Sequence, residues 1–520
     1  MTTSDPIDLP TGWARTTLGE IGDWSSGGTP SRKESRYYGG DIPWVKTGNL
    51  NDGLVVEIDE QITQEGLKNS SAKMFPSESL VIAMYGATIG KLGILESAAT
   101  TNQACAVLLA QGLTKDLIKF VFYYLLNSRE DLREIGKGGA QPNISQTVIK
   151  KFSILLPPLN EQRRIVAKIE ELTAHSKRAR AALDEVPTLI EQFKQSVLAA
   201  AFRGDLTADW REKNPDVEPA EKLLERIRAE RRKCWEESEL EKMRARGKKP
   251  KNEKWKEKYT EPSRLNSSGL PQLPKNWCWV SWEQVAINQN GRAFPSKEYS
   301  ESGIKLLRPG NLHISGRVEW TKSNSRWMPE EWGMKYPDYI IQENELVINL
   351  TAQSLADAFL GRVCLTGHDE KCLLNQRIAR LKPSIISPKF CLWLLKSPIF
   401  RKYVDTLNTG SMIQHMFTSQ IDKFIFPLPP LEEQAEIIEI VESQIKRMED
   451  ICLIAEQAIE DFTSIGQSIL AKAFRGELVS QDPNDEPAAV LIERIRAERE
   501  KLKAAKKGKK RSQRKKAKAP

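Results

Sequence analysis

One plan is written twice along this chain. Leu156-Pro157-Pro158-Leu159, followed by Glu161-Gln162, returns 272 positions later as Leu428-Pro429-Pro430-Leu431 with Glu433-Gln434. At the same shift, Ala201-Phe202-Arg203-Gly204-Asp205-Leu206 returns as Ala473-Phe474-Arg475-Gly476-Glu477-Leu478. Glu225 to Arg231 recurs as Glu493 to Arg499, and Leu9-Pro10 with Trp13 corresponds to Leu273-Pro274 with Trp277. Inside the halves, Gly48-Asn49-Leu50 answers Gly310-Asn311-Leu312, and Asn102-Gln103 answers Asn375-Gln376. A tandem duplication narrows the choice of fold, because whatever one half forms the other must form as well. Each half opens with a globular part and closes with a helical one. The domains are read as 1–158 and 269–430, with helical spacers and charged segments at 159–268 and 431–520.

The globular parts mix short β runs with turn signals, which makes the fold class α+β. Leu80 to Tyr85 and Glu345 to Leu350 read as strands, and Gly27-Gly28-Thr29-Pro30 and Tyr38-Gly39-Gly40-Asp41 as loops. Helices are expected near Leu117–Leu126 and Phe390–Leu395. The helical parts carry a heptad seam. From Ile165 it passes through Ile169, Leu172, Ser176, Ala179, Leu183, Val186, Ile190, Phe193, Val197 and Ala200. Steps of four and three alternate, as in a coiled coil. The second copy keeps the phase from Ile437 through Ile451 and Ile465 to Lys472, diluted by Gln444 and Lys472. Two such helices should pack on each other as a spacer, each about 65 Å long at 1.5 Å per residue. Pro187 predicts a kink in the first. Ser238 to Lys258 reads as an exposed, partly flexible linker.

The net charge of +9 is misleading as a clue to partners. From Arg499 onward there are twelve Lys or Arg against Glu500 alone, so this tail carries +11 and the rest of the chain −2. The tail reads as a disordered, solvated segment, or as a sequence-independent grip on DNA phosphates. No apolar run is long enough to span a membrane, Met1–Pro10 does not resemble a signal peptide, and seven scattered Cys suit a reducing compartment. A cytoplasmic protein is expected.

Motifs for chemistry are missing. No Asp-Pro-Pro-Tyr-type cluster is present to hold a flipped adenine. Gly86-Ala87-Thr88-Ile89-Gly90-Lys91-Leu92 has one residue too few between its glycines for a phosphate loop, and Leu92 replaces the hydroxyl residue that would meet magnesium. Cys364, His368 and Cys372 lack a fourth ligand and the tight spacing of a zinc site, and read instead as a hairpin tip with two half-buried thiols. His175, His313, His368 and His415 suggest no triad, and no catalytic pairing of acids with a lysine stands out.

The duplicated plan, the Leu-Pro-Pro-Leu-x-Glu-Gln start of each long helix, and Ser468 to Leu478 together resemble the specificity subunit of type I restriction–modification enzymes. The resemblance covers nearly the whole chain. It implies two target-recognition domains separated by two long antiparallel conserved helices, related by a pseudo-two-fold internal repeat. Each domain would read one half of a bipartite, non-palindromic site on double-stranded DNA. The helices would dock two modification subunits, which methylate adenine, and through them restriction subunits. No cofactor would be bound by this chain; the complex would use S-adenosylmethionine, ATP and Mg. One departure stands out: Gly291-Arg292-Ala293-Phe294-Pro295-Ser296 replaces the Gly-Gly-Thr-Pro start of the first domain.

Two domains reading different sequences should share scaffold residues and differ at their readers. Asn49, Asn311, Asn102 and Asn375 are therefore taken as turn or fold residues. Candidate DNA-binding residues in the first domain are Arg32, Lys33, Arg36, Tyr37, Lys46, Tyr85, Lys137, Gln141 and Asn143. In the second they are Arg292, Lys297, Arg308, Arg326, Gln353, Arg362, Gln414 and His415. Arg matches guanine and Asn or Gln matches adenine through paired hydrogen bonds in the major groove. Lys46 and Arg308 share the slot before Gly-Asn-Leu, which suggests phosphate contacts. Glu161, Arg163, Arg164, Glu170 and Glu171 are expected to lie on the outer helix surface that docks a partner. Two other readings stay open: a coiled-coil protein scaffold without DNA selectivity, and an enzyme, such as a nuclease, with an unrecognised site.

Overall fold

The computed structural model describes residues 9–136, 143–247, 249–250, 252–353, 358–368, 370–407 and 414–501. They form two compact units. One combines the chain up to Asp184 with residues from Glu456 onward; the other is the continuous stretch from Glu185 to Ala455. The expected basic tail, from residue 502 on, lies outside the described residues.

The two units repeat one α+β design. In the first, strand Ala14–Thr17 runs antiparallel to Ser153–Leu156, with Ala14 opposite Leu156. In the second, Cys278–Ser281 pairs in the same way with Ile425–Leu428. The beginning of each domain is thus tied to the strand that leads into its long helix. Leu80–Ala83 and Cys105–Leu108 sit side by side in a five-stranded sheet. Their unbroken apolar runs are buried throughout, as strands covered on both faces require. Helix Lys115–Asn127 contributes Leu117, Phe120, Val121 and Leu125 to the same core, and the Thr114 hydroxyl accepts from Leu117 N–H to cap its start. In the second unit Leu346–Asn349 and Ile378–Pro383 take the central places, and Pro388–Lys396 is the core helix.

The repeated motifs exchange partners between halves. Phe474, which follows the second domain in sequence, packs edge-on against Phe120 at 5.5 Å within the first unit. Phe202, which follows the first domain, packs against Phe390 at 5.5 Å within the second. Each Phe-Arg-Gly then ends its helix on a left-handed glycine, Gly204 at φ +83 and Gly476 at φ +77. A Cβ there would lie 2.7 Å from Pro274 Cγ and 2.8 Å from Pro10 Cγ, so the glycines also admit the Leu-Pro motifs. Further on, Ala220 N–H donates to Asn276 O and Ala488 N–H to Gly12 O, both at 2.9 Å. Arg231 donates to Ala286 O at 2.6 Å; its counterpart Arg499 donates to Gly19 O, Glu20 O and Asp23. Arg499 is therefore a structural residue and not the first of a free tail.

The long helices are antiparallel. Ile165 and Ile169 share a core with Ile469 and Phe474 in the first unit, and Ile190 and Val197 share one with Ile437, Val441 and Met448 in the second. At the expected kink beside Pro187 the helical run divides into Leu159–Asp184 and Val186–Arg203, with Glu185 alone between them and itself in a helical conformation, whereas Leu431–Phe474 is continuous. The seam holds through Leu183, Val186 and Ile190 and leaves the expected phase only beyond them. Phe193 is 53% exposed, and Lys194 is the residue half-buried between Ile190 and Val197. Ile451, Ile465 and Lys472 are likewise exposed, against expectation, while Cys452 and Gly466 take the inner positions.

Other expectations are also corrected. Residues 238–258 include a helix that ends at Ala245 and a 3-10 turn at Glu253–Lys258, and Trp255 stacks on Trp235 at 6.0 Å. The Cys364 and Cys372 strands belong to different sheets, so they do not form a hairpin, and both thiols are buried. Of the charges expected on the outer helix surface, Arg163 and Glu171 are exposed, Arg163 pairing with Asp116 and Glu171 with Lys168; Arg164 is engaged with Asp485 and Glu170 with Lys119, and Glu161 is buried, against expectation. No described helix is long and apolar enough to cross a membrane.

Candidate nucleic-acid interface

Three backbone segments converge in each domain. The first is the loop after Gly27 or Gly291. Gly28 N–H donates to Thr101 O at 2.8 Å, and Arg292 N–H to Leu374 O at 3.0 Å. A Cβ on Gly27 would lie 2.2 Å from Thr101 O, and one on Gly291 2.0 Å from Asn375 O, so only glycine fits against the second segment, the Asn-Gln turn. The third is the 3-10 turn after Lys46 or Arg308. There Asn49 and Asn311 accept from the N–H of Lys46 and Arg308 at 2.9 Å, and their amides reach Glu57 O and Glu319 O. These two asparagines act as turn residues.

In the second domain these segments enclose a cleft of about 670 Å³, whose lining includes Phe294, Arg308, Asn324, Arg326, Gln376 and Arg377. No carboxylate among the described residues lines it. Arg326 is held by Ser323 O at 3.3 Å and Ser325 O at 2.6 Å, which leaves its remaining N–H groups for a ligand. Guanidinium groups and amides without an opposing acid suit oxyanions and the acceptor edge of guanine.

The first domain differs at the same place. Arg32 and Lys46 are bound to Glu60, and the Arg32 guanidinium lies 4.4 Å over Tyr38 and 5.0 Å over Trp44. Glu60 is held down at about 2, chiefly by its hydrogen bond to Arg32. Arg36 is paired with Glu34 and Glu65. Lys33 is exposed. Tyr37 is 8% exposed and presents no ring to a base, which corrects that candidate. Lys137 and Gln141 lie outside the described residues.

A second cluster adjoins the Asn-Gln turn. Met84 N–H donates to Ala104 O at 2.8 Å, and Leu350 N–H to Arg377 O at 2.9 Å. The next residue, Tyr85, bridges to Asn143, and in the second domain Thr351 pairs with His415 and Ala352 with Gln414. Tyr85, Asn143, Gln353 and His415 are exposed there, and Gln414 is half-buried. Arg292 lies 4.0 Å over Tyr336, Lys297 is exposed, and Arg362 stacks on Phe359 and donates to Leu312 O. Neither Arg292 nor Arg362 lines the cleft.

Arg377, Gln376 and Asn324 escaped the sequence reading. A signal existed: after the shared Asn-Gln, one half has Ala104 and the other Arg377. Among the described residues no three His, Cys, Asp or Glu are grouped to hold a metal ion. Burial pushes the Cys364 thiol up to about 12, and Cys372 higher still, while His368 is exposed beside Glu343.

Comparison with known proteins gives a consistent picture. The family model described as "Type I restriction modification DNA specificity domain" matches residues 10–185 and again 274–452. The chain is 26% identical to the type I restriction enzyme EcoDI specificity subunit of Escherichia coli, over 76% of this chain and 79% of that protein. It is 25% identical to the EcoKI specificity subunit of Escherichia coli strain K12, over 98% of this chain and 99% of that one. The crystal structure of the HsdS subunit from Thermoanaerobacter tengcongensis superposes with a TM-score of 0.55 at 18% identity, over 92% of this chain and all of that one, which is a likeness of fold.

Proposed function

This chain belongs to the type I restriction–modification DNA specificity family, and we propose that its two domains each read one half of a bipartite, non-palindromic site on double-stranded DNA. It is the sequence-specificity subunit of such a system. The observation that carries the two-part reading is the equivalent set of converging segments in the two domains. They share Gly27 with Gly291, Asn49 with Asn311, and Asn102-Gln103 with Asn375-Gln376, yet the charged residues beside these differ. A common scaffold with diverged tips is what two readers of different sequences require.

In this reading the chain does no chemistry. Two modification subunits dock on the helices and methylate adenine with S-adenosylmethionine, and restriction subunits join through them, using ATP and Mg. Leu189, Phe193, Leu453 and Ile454 are exposed apolar helix residues in the second unit that suit such docking. The complex works in the cytoplasm. Exchange of residues 11–155 for the matching domain of a relative tests the proposal. Methylome sequencing is expected to show one half of the methylated site changed and the other retained. A change in both halves, or in neither, would contradict it.

A further inference from the structure

A short strand accompanies the strand that leads into each Gly-Asn-Leu turn, and its register is the same in both domains. In the first, Ile42 faces Ile62, Pro43 faces Gln61, and Trp44 N–H donates to Glu60 O at 3.0 Å. In the second, Ile304 faces Met328, Lys305 faces Trp327, and Leu306 N–H donates to Arg326 O at 2.8 Å. Glu60 and Arg326 therefore occupy one position of the repeat with opposite charge. Two residues past Trp44 and Leu306 come Lys46 and Arg308, again equivalent, each fixed by its asparagine.

Glu60 holds two cations at once. One carboxylate oxygen takes Lys46 Nζ at 3.0 Å, and the pair of oxygens takes the two terminal nitrogens of Arg32, one of them at 3.0 Å. Tyr38 and Trp44 support the guanidinium from beneath. In the second domain Arg308, Arg326 and Arg377 have no carboxylate partner among the described residues, and Arg377 stands where the first domain has Ala104. A carboxylate and a DNA phosphate are alternative oxyanion ligands for the same guanidinium and ammonium groups.

We propose that Glu60 is a latch, an internal substitute for a phosphate that withholds Arg32 and Lys46 from DNA of arbitrary sequence. A backbone contact there requires the latch to open, and the base contacts of a matching half-site offset that cost. The second domain, with Arg326 in the latch position, grips without this restraint. The inference rests on the reading that these two equivalent regions face DNA.

The test uses the full chain in complex with its modification subunits. Two duplexes are compared over a range of salt concentrations: the site identified by methylome sequencing, and the same site with its first half scrambled. Glu60→Gln is expected to tighten binding to the scrambled duplex about tenfold at low salt and to bring the two affinities closer. Freeing two cations should steepen the slope of log affinity against log salt by about one to two, at roughly 0.9 per phosphate. Arg326→Glu, which installs the acid in the other domain, should flatten that slope. Unchanged slopes in both variants, or weaker binding of both duplexes by Glu60→Gln, would overturn the latch. No salt-dependent binding by the wild-type complex would instead refute the DNA-facing reading itself.

Discussion

The indole N–H of Trp277 donates to Glu433 Oε2 at 2.8 Å, and Trp13 meets both carboxylate oxygens of Glu161 at 3.1 Å in the other repeat. These contacts explain why the Leu-Pro motif with its tryptophan and the Leu-Pro-Pro-Leu-x-Glu-Gln motif recur together. The glutamate takes the indole. The next residue, Gln162 or Gln434, donates its amide to Pro157 O at 2.8 Å or Pro429 O at 3.0 Å. Together they fix how the closing strand turns into the long helix.

Loss of one side of this contact should be costly where the acid is buried. Glu433 is fully buried and also accepts from Thr207 and Arg211. Trp277→Phe keeps the packing and removes the donor, for an expected loss of about 1.5–3 kcal/mol. Glu433→Ala strands Arg211, for about 3–5 kcal/mol. Denaturant unfolding of the two variants measures both losses, and the ranking would be refuted if the alanine variant were the more stable of the two.

Protonation of Glu161 should couple to stability. Glu161 lacks an arginine hydrogen bond, and burial raises it above the usual carboxylate range, although Trp13 and Arg164 act against the rise. A raised folded value means that the folded chain holds the proton more tightly. The contribution is therefore fullest below the unfolded value of 4.5 and is lost as pH rises through the folded one. Glu161→Gln is expected to gain on the wild type as pH rises above 4.5, read as the difference in unfolding midpoint. Asp485 is lowered, chiefly by Arg164, so its contribution is lost in the opposite direction, on acidification. A midpoint difference independent of pH would exclude the role given to Glu161.

The seam shift predicts different results for exposed and buried phenylalanines of the long helices. Phe193→Ala should leave stability within about 0.5 kcal/mol, as for most exposed positions. Phe202→Ala and Phe474→Ala empty buried edge-to-face contacts and should each cost about 3–5 kcal/mol. If Phe193 helps to dock a modification subunit, its variant should still fold while recovering less of that subunit on co-purification. Equal destabilisation at 193 and 202 would restore the unbroken seam.

Arg377→Ala addresses the cleft. If Arg377 pairs with a base, discrimination at one position should fall by about 1–3 kcal/mol, within the half-site of the second domain only. Methylation-protection assays on duplexes varied one pair at a time read this directly. Relaxation in the half read by the first domain would rule out its assignment to this cleft.

The repeat made much of this architecture legible beforehand. Strands at Leu80 and Leu346, helices at Lys115 and Pro388, and a disruption at Pro187 follow from periodicity and from proline chemistry. The partner exchange does not, because Phe202 and Phe474 look the same whichever domain they serve. Readers were harder to find. Arg32 and Arg326 both read as candidate DNA contacts in the sequence, but only the fold shows that Arg32 is paired with Glu60 and that Arg326 stands at the repeat position of Glu60 itself. Asn375 was taken for scaffold, yet its turn carries Gln376 and Arg377 into the cleft.

The exchange of motifs also sets a schedule for synthesis. The second unit is one continuous stretch, Glu185 to Ala455, and can close while the ribosome is still translating. The first unit must wait for residues made hundreds of codons after its own sheets. Until Phe474 reaches Phe120 and Ala488 reaches Gly12, the nascent domain exposes the apolar surface they later cover. A message truncated before those codons would leave the earliest-made domain, and not the last, as the unfinished one.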